Sequence, residues 1–137
     1  MFQLDPRLKR DCIELGSFKL SLILLMNDSN YPWFILVPRR EGLTELYELS
    51  PVDRLQFHKE SLYFSEELAR FFTADKMNVA ALGNMVPQLH VHHIVRYKND
   101  PAWPSPVWGA KEAVPYEPEK VVAITSTIKS IVENFSN

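Results

Sequence analysis

The sequence of 137 residues has one cysteine, Cys12, and only 4 glycines. A single thiol excludes an internal disulfide and a multi-thiolate zinc site and fits a reducing compartment, so the cytoplasm is the expected location. Scarce glycine argues against collagen-like and low-complexity chains. An excess of cations is also missing: 15 Lys and Arg stand against 17 Asp and Glu, a formal net charge of -2. Such a balance offers no basic surface to a long phosphate backbone, and nucleic acid is not an expected partner. Long apolar runs are lacking too. Leu22 to Met26 is far shorter than a membrane span, and the opening Met1-Phe2-Gln3-Leu4-Asp5-Pro6-Arg7 has no basic region leading into an apolar stretch; neither export nor a membrane partner is expected. What remains is 46% hydrophobic residues with 12% aromatics, the make-up of a packed chain of single-domain size, so one domain is expected over residues 1–137.

The local signals alternate between strand and helix. Asp5-Pro6 can cap and start a short helix. Phe18 through Met26 begins with alternation and ends continuously apolar, as a strand buried on one face and then on both. Asn27-Asp28-Ser29-Asn30 is a turn cluster, and Trp33 through Val37 is a second strand stopped by Pro38, giving an antiparallel hairpin. Ser50-Pro51-Val52-Asp53 opens a long helix running to about Thr73, with Leu55, Leu62, Leu68, Phe71 and Phe72 read as its apolar face. Residues 78–82 and 89–95 read as a further strand pair. The stretch 101–118, rich in proline and holding Trp103 and Trp108, is expected to be ordered but extended. A closing helix places Val121, Ile124, Ile128, Ile131, Val132 and Phe135 on one face.

The main chemical signal is Gln88-Leu89-His90-Val91-His92-His93-Ile94-Val95-Arg96, which holds three of the four histidines. On a strand, the period of two puts Gln88, His90, His92, Ile94 and Arg96 on one face and Leu89, Val91, His93 and Val95 on the other. The second face is almost wholly apolar, so His93 is expected to be a buried structural residue. His90 and His92 share the more polar face, where a neutral imidazole is a nucleophile near pH 7 and its neighbour can stabilise an oxyanion. Taken alone, H-x-H also suits a metal site completed by His58 or a carboxylate.

This chain resembles the histidine triad (HIT) family of nucleotide hydrolases and transferases. Within that family it is most similar to the bacterial branch commonly labelled diadenosine-tetraphosphate-hydrolase-like. The resemblance is carried by Asn27, by Pro32-Trp33-Phe34-Ile35-Leu36-Val37-Pro38-Arg39, by Leu49-Ser50-Pro51, by the run Leu82 through His92 with its Gln88-x-His90-x-His92 motif, and by Arg96 through Gly109. It implies an α+β fold with an antiparallel sheet of about five strands, a long central helix and a C-terminal helix. It also implies a homodimer whose sheets join across the two-fold axis. The activity implied is hydrolysis or transfer at the α-phosphate of a purine nucleotide conjugate or dinucleoside polyphosphate. His90 would be the nucleophile, and His92 would contact the phosphate oxygens. No cofactor is required on this reading, no metal site is assigned, and magnesium enters only as a complex of the substrate.

Two positions depart from the family pattern. Gln88 stands where the first triad histidine is usual, and Trp33 stands where many members carry a further histidine. Each replaces a group able to hold positive charge, so a nucleotide sensor with little turnover is the alternative to a hydrolase, and a histidine at position 88 is expected to raise turnover more than affinity. Asn27 matches a ribose-contacting asparagine but also reads as a turn cap. Asn84 matches a polar residue near the phosphates but also reads as a loop cap. Arg39, Arg40 and Arg96 are candidates for phosphate contacts, and Trp103 and Trp108 for base stacking or packing.

Overall fold

The computed structural model describes residues 1–136. In chain order these form α1 (Pro6–Asp11), β1 (Cys12–Ser17), β2 (Ser21–Met26), β3 (Trp33–Pro38), a 3-10 turn (Leu46–Glu48), α2 (Pro51–Phe72), β4 (Lys76–Ala80), β5 (Val91–Arg96) and α3 (Pro118–Glu133). The strands make one antiparallel sheet in the order β1-β2-β3-β5-β4. This is the expected α+β architecture with five strands.

The sheet is covered on both faces, which explains why β2 and β3 are almost continuously apolar. Ile23, Leu25, Phe34, Leu36, Val91 and Val95 pack with Phe57, Phe64 and Leu68 of α2 and Ile124, Ile128 and Ile131 of α3. On the opposite face Leu22, Leu24, Trp33, Ile35, Val37 and Ile94 pack with Leu8 of α1 and with Tyr31, Ala102 and Val107. The proline-rich stretch therefore serves as the second cover. It is tied down through Asp100, whose Oδ1 accepts from the backbone N–H groups of Ala102 and Trp103 at 3.1 and 2.8 Å.

Three expectations need correction. First, β1 is an additional strand, and the strand read from Phe18 begins only at Ser21, because Phe18 N–H bonds the Ser21 carbonyl at 2.8 Å and closes the β1–β2 turn. Second, the buried face of α2 is Phe57, Glu60, Ser61, Phe64 and Leu68, while Leu55, Leu62 and Phe71 are exposed. Polar residues disguise that face: the Glu60 carboxylate accepts from Leu20 N and Ser21 N at 2.8 and 3.0 Å, satisfying the start of β2. The helix start itself follows the expectation, with Ser50 Oγ accepting from Asp53 N at 3.2 Å and Pro51 in the first turn. Third, β5 starts at Val91. Leu89 N–H is taken by the Leu43 carbonyl, so Gln88 and His90 lie in the extended approach to the strand.

Candidate nucleotide site

The alternation read from the sequence carries through this approach into β5. His93 turns towards α2 and is fully buried, with Nε2 2.7 Å from Ser61 Oγ and Nδ1 3.0 Å from the Val91 carbonyl. Burial pushes its pKa down to about 4, so it is a neutral structural residue. His90 and His92 turn to the other face. They are buried rather than on an open strand face, at 7% and 4% exposure, and their ring centroids are 5.0 Å apart.

Their partners fix both tautomers. His90 Nδ1 lies 2.7 Å from the Gln88 backbone carbonyl. A carbonyl only accepts, so Nδ1 carries the hydrogen and Nε2 keeps its lone pair. His92 is the mirror case. The Trp33 indole N–H, which can only donate, reaches His92 Nδ1 at 2.9 Å, leaving the hydrogen of the neutral ring on Nε2. The antiparallel register makes this contact possible: Trp33 pairs with Ile94 across β3 and β5, so its large side chain reaches the diagonal neighbour His92. Burial, reinforced by His90 and His93, pushes the His92 pKa down to about 3. The result is a nucleophilic lone pair on one ring and a hydrogen-bond donor on the next.

These rings open on a cavity of about 370 Å³ whose walls include Leu8, Asp11, Asn84, Met85, Val86 and Trp108. A second cavity of about 460 Å³ adjoins it, sharing Asp11, Met26 and Trp108, and is reached by Arg10, Asn27, Asp28, Trp33 and Lys111. Trp108 stands at the boundary, edge-on to His92 at 5.0 Å and to Trp33 at 5.7 Å. Asn27 lines the second cavity, and its Oδ1 accepts from Tyr116 N at 2.9 Å. The turn is capped by its neighbour, with Asp28 Oδ1 accepting from Asn30 N at 3.1 Å.

Several candidates are placed elsewhere. Arg96 is 1% exposed and pairs with Asp100 at 2.8 and 3.1 Å, while also donating to Asn78 Oδ1 and the Ser105 carbonyl. Its guanidinium is committed to structure and does not face a phosphate. Trp103 packs on that guanidinium at 5.6 Å. Arg39 donates to the carbonyls of Phe18, Lys19 and Leu20, and Arg40 pairs with Asp53 at 2.6 Å. Gln88 bonds the backbone of Gln3 and Asp5 and is not a free oxyanion donor. His58 lines a separate groove with Leu46, Tyr47 and Phe57, and no group of three or more His, Cys, Asp or Glu side chains suited to a metal ion occurs among the described residues. Leu8, Asp11 and Lys111 are site residues that sequence reasoning missed. The alternation of Ile13 and Leu15 was the available sign that a strand follows α1 and carries its wall to the site.

Residues 7–99 match the model of the HIT domain. The chain belongs to the HIT family. Solved structures of HIT relatives agree over nearly the whole length. A histidine triad protein from Marinobacter aquaeolei VT8 is 50% identical with a TM-score of 0.96, the match covering 99% of each chain. A histidine triad protein from Bradyrhizobium japonicum is 41% identical with a TM-score of 0.93, covering 96% of this chain and 98% of that one. A HIT protein from Sinorhizobium meliloti 1021 is 42% identical with a TM-score of 0.92, covering 98% of both. No curated protein matches. Membership supports a nucleotide-binding, hydrolase-type function in general terms. No helix among the described residues is long and apolar enough to cross a membrane.

Proposed function

We propose that this HIT protein cleaves purine nucleotide conjugates at the α-phosphate, dinucleoside polyphosphates of the diadenosine tetraphosphate type among them, through a nucleotidyl-histidine intermediate. The observation that carries this reading is the opposed tautomers of His90 and His92. The His90 Nε2 lone pair attacks phosphorus as the bond to the leaving group breaks, and the leaving group departs with that electron pair. Water then attacks phosphorus, the N–P bond breaks with its electron pair returning to Nε2, and the water gives up a proton to solvent, so that the nucleoside monophosphate leaves and the neutral ring is restored with its hydrogen on Nδ1. His92 Nε2–H, on a ring that is itself buried, hydrogen-bonds a non-bridging oxygen as charge shifts onto it. On this reading Asn27 and Trp108, which line the cavities, contact ribose and base, and Asn84 meets the phosphates.

Brief incubation with diadenosine tetraphosphate, quenching at neutral pH and intact-protein mass analysis tests the scheme. An acid-labile adenylyl adduct on His90, absent in His90→Ala, is expected together with AMP release. AMP release by His90→Ala at the wild-type rate overturns the mechanism. Chelation of divalent cations is expected to leave cleavage of an adenosine phosphoramidate intact, because both catalytic rings already have one nitrogen engaged and His58 lies outside the site.

A further inference from the structure

We propose that Gln88 is a positioning residue that clasps the N-terminal segment, residues 3–11, as a wall of the nucleotide cavity; this rests on the function proposed above. The Gln88 carboxamide is spent on the backbone of that segment. Its Oε1 accepts from Asp5 N at 2.8 Å and its Nε2 donates to the Gln3 carbonyl at 2.8 Å. One side chain thus satisfies a donor and an acceptor two residues apart, as a neighbouring strand would. Arg7 fastens the segment a second time: Nη1 donates to the Met85 carbonyl at 2.7 Å, while Nε and Nη2 hold the Asp5 carboxylate at 3.2 and 3.1 Å. Past these clasps, Leu8 and Asp11 enter the cavity wall beside His90 and His92, and Arg10 and Asp11 reach the adjoining cavity. At six residues, α1 is too short to hold its own position. Its place is set by the clasps and by the burial of Leu8.

Gln88 therefore divides its labour. Its backbone carbonyl fixes the His90 Nδ1–H and remains whatever side chain stands at 88. Its carboxamide holds the wall. A histidine at this position cannot replace it, because an imidazole carries its two nitrogens on diverging edges and cannot address residues 3 and 5 together. The expectation that histidine at 88 raises turnover is accordingly reversed: it should loosen the wall.

Amide hydrogen exchange on ligand-free protein, AMP affinity, and the rate of His90 adenylylation at saturating diadenosine tetraphosphate test this in Gln88→Ala, Gln88→His and Gln88→Glu. In the alanine and histidine variants, exchange across residues 3–11 should rise while β3 and β5 stay protected. AMP binding should weaken about tenfold, as loss of two backbone clasps implies, and the saturated rate should change less than about threefold. Gln88→Glu keeps the acceptor for Asp5 N–H but loses the donor to Gln3, and should fall between. Unchanged exchange overturns the clasp. Raised exchange with wild-type AMP affinity overturns the role of the segment as a wall. A saturated rate that falls as far as the affinity makes Gln88 a catalytic residue and overturns the positioning role. Failure of wild-type protein to bind AMP overturns the proposed function and the wall with it, while the exchange data still decide the clasp.

Discussion

At the scale of single residues, the site depends on two imidazoles whose partners place their ring hydrogens on different nitrogens. Trp33 is central to this, because an indole can only donate and so forces the His92 hydrogen to Nε2 more strictly than a hydroxyl or a second histidine would. Trp33→Phe removes that donor without a large change in apolar packing. The rate of adenylylation should then fall about tenfold, the order expected of one hydrogen bond, while the His92 pKa, held down to about 3 by burial, stays low. A wild-type rate of adenylylation would remove Trp33 from the mechanism. The same burial has a cost in acid. The folded pKa values of His92 and His93 lie near 3 and 4, below the ordinary 6.5. Between those limits the unfolded chain binds protons that the native state refuses, so stability is complete above pH 6.5 and is lost as pH falls towards 4 and 3. A tenfold difference in proton affinity between the two states corresponds to about 1.4 kcal/mol, and the two rings together should withdraw several kcal/mol. Urea midpoints at pH 7 and pH 4.5 check this; the lower pH should give the lower midpoint, and His93→Gln should flatten the difference.

At the scale of elements, the segment after β5 is organised by one buried ion pair. Arg96 and Asp100 have side chains 2% and 3% exposed, and Asp100 also accepts from Tyr97 N, Ala102 N and Trp103 N. Asp100→Ala leaves a buried guanidinium without its carboxylate and should cost about 3–5 kcal/mol. It should also release Trp108 from His92, so that tryptophan emission becomes more solvent-exposed before global unfolding; an unchanged urea midpoint would contradict the assignment. None of this was legible in Arg96 itself, since a lone arginine after a histidine strand reads equally as a phosphate ligand. What was legible depended on local pattern. The Ser50-Pro51 start, the apolar face of α3 and the inward turn of His93 follow from spacing alone. The buried face of α2 was not, because Glu60 and Ser61 occupy core positions in order to serve β2 and His93. The backbone contacts of Gln88 were hidden for a different reason. Its partner Asp5 lies 83 residues away, and a glutamine aligned with a histidine suggests a weakened catalyst until that contact is known.

At the scale of the whole molecule, the two edges of the sheet differ. Next to β1 the chain supplies cover from α3, which packs partly on that strand. At the other end, among the described residues, β4 pairs only with β5, and Val79 on it is 48% exposed. An unprotected edge strand invites further pairing. The helix above it, α2, adds exposed apolar side chains at Leu55 and Leu62, 67% and 58% exposed, seven residues apart and hence on one face. A second copy of the chain is the partner that would cover an edge and a helix face of this kind symmetrically, with β4 against β4 and α2 against α2. The homodimer implied by the resemblance to HIT proteins is therefore expected to use this end of the sheet. Sedimentation equilibrium should give twice the monomer mass at micromolar concentration, and Leu55→Glu combined with Leu62→Glu should shift it to the monomer, because both substitutions place like charges opposite their own copies across the two-fold axis. His90, His92 and Trp108 lie on the opposite side of the sheet from α2. The monomeric variant should therefore retain the native fold by circular dichroism, and a wild-type protein that sediments as a monomer would leave the β4 edge without its expected partner.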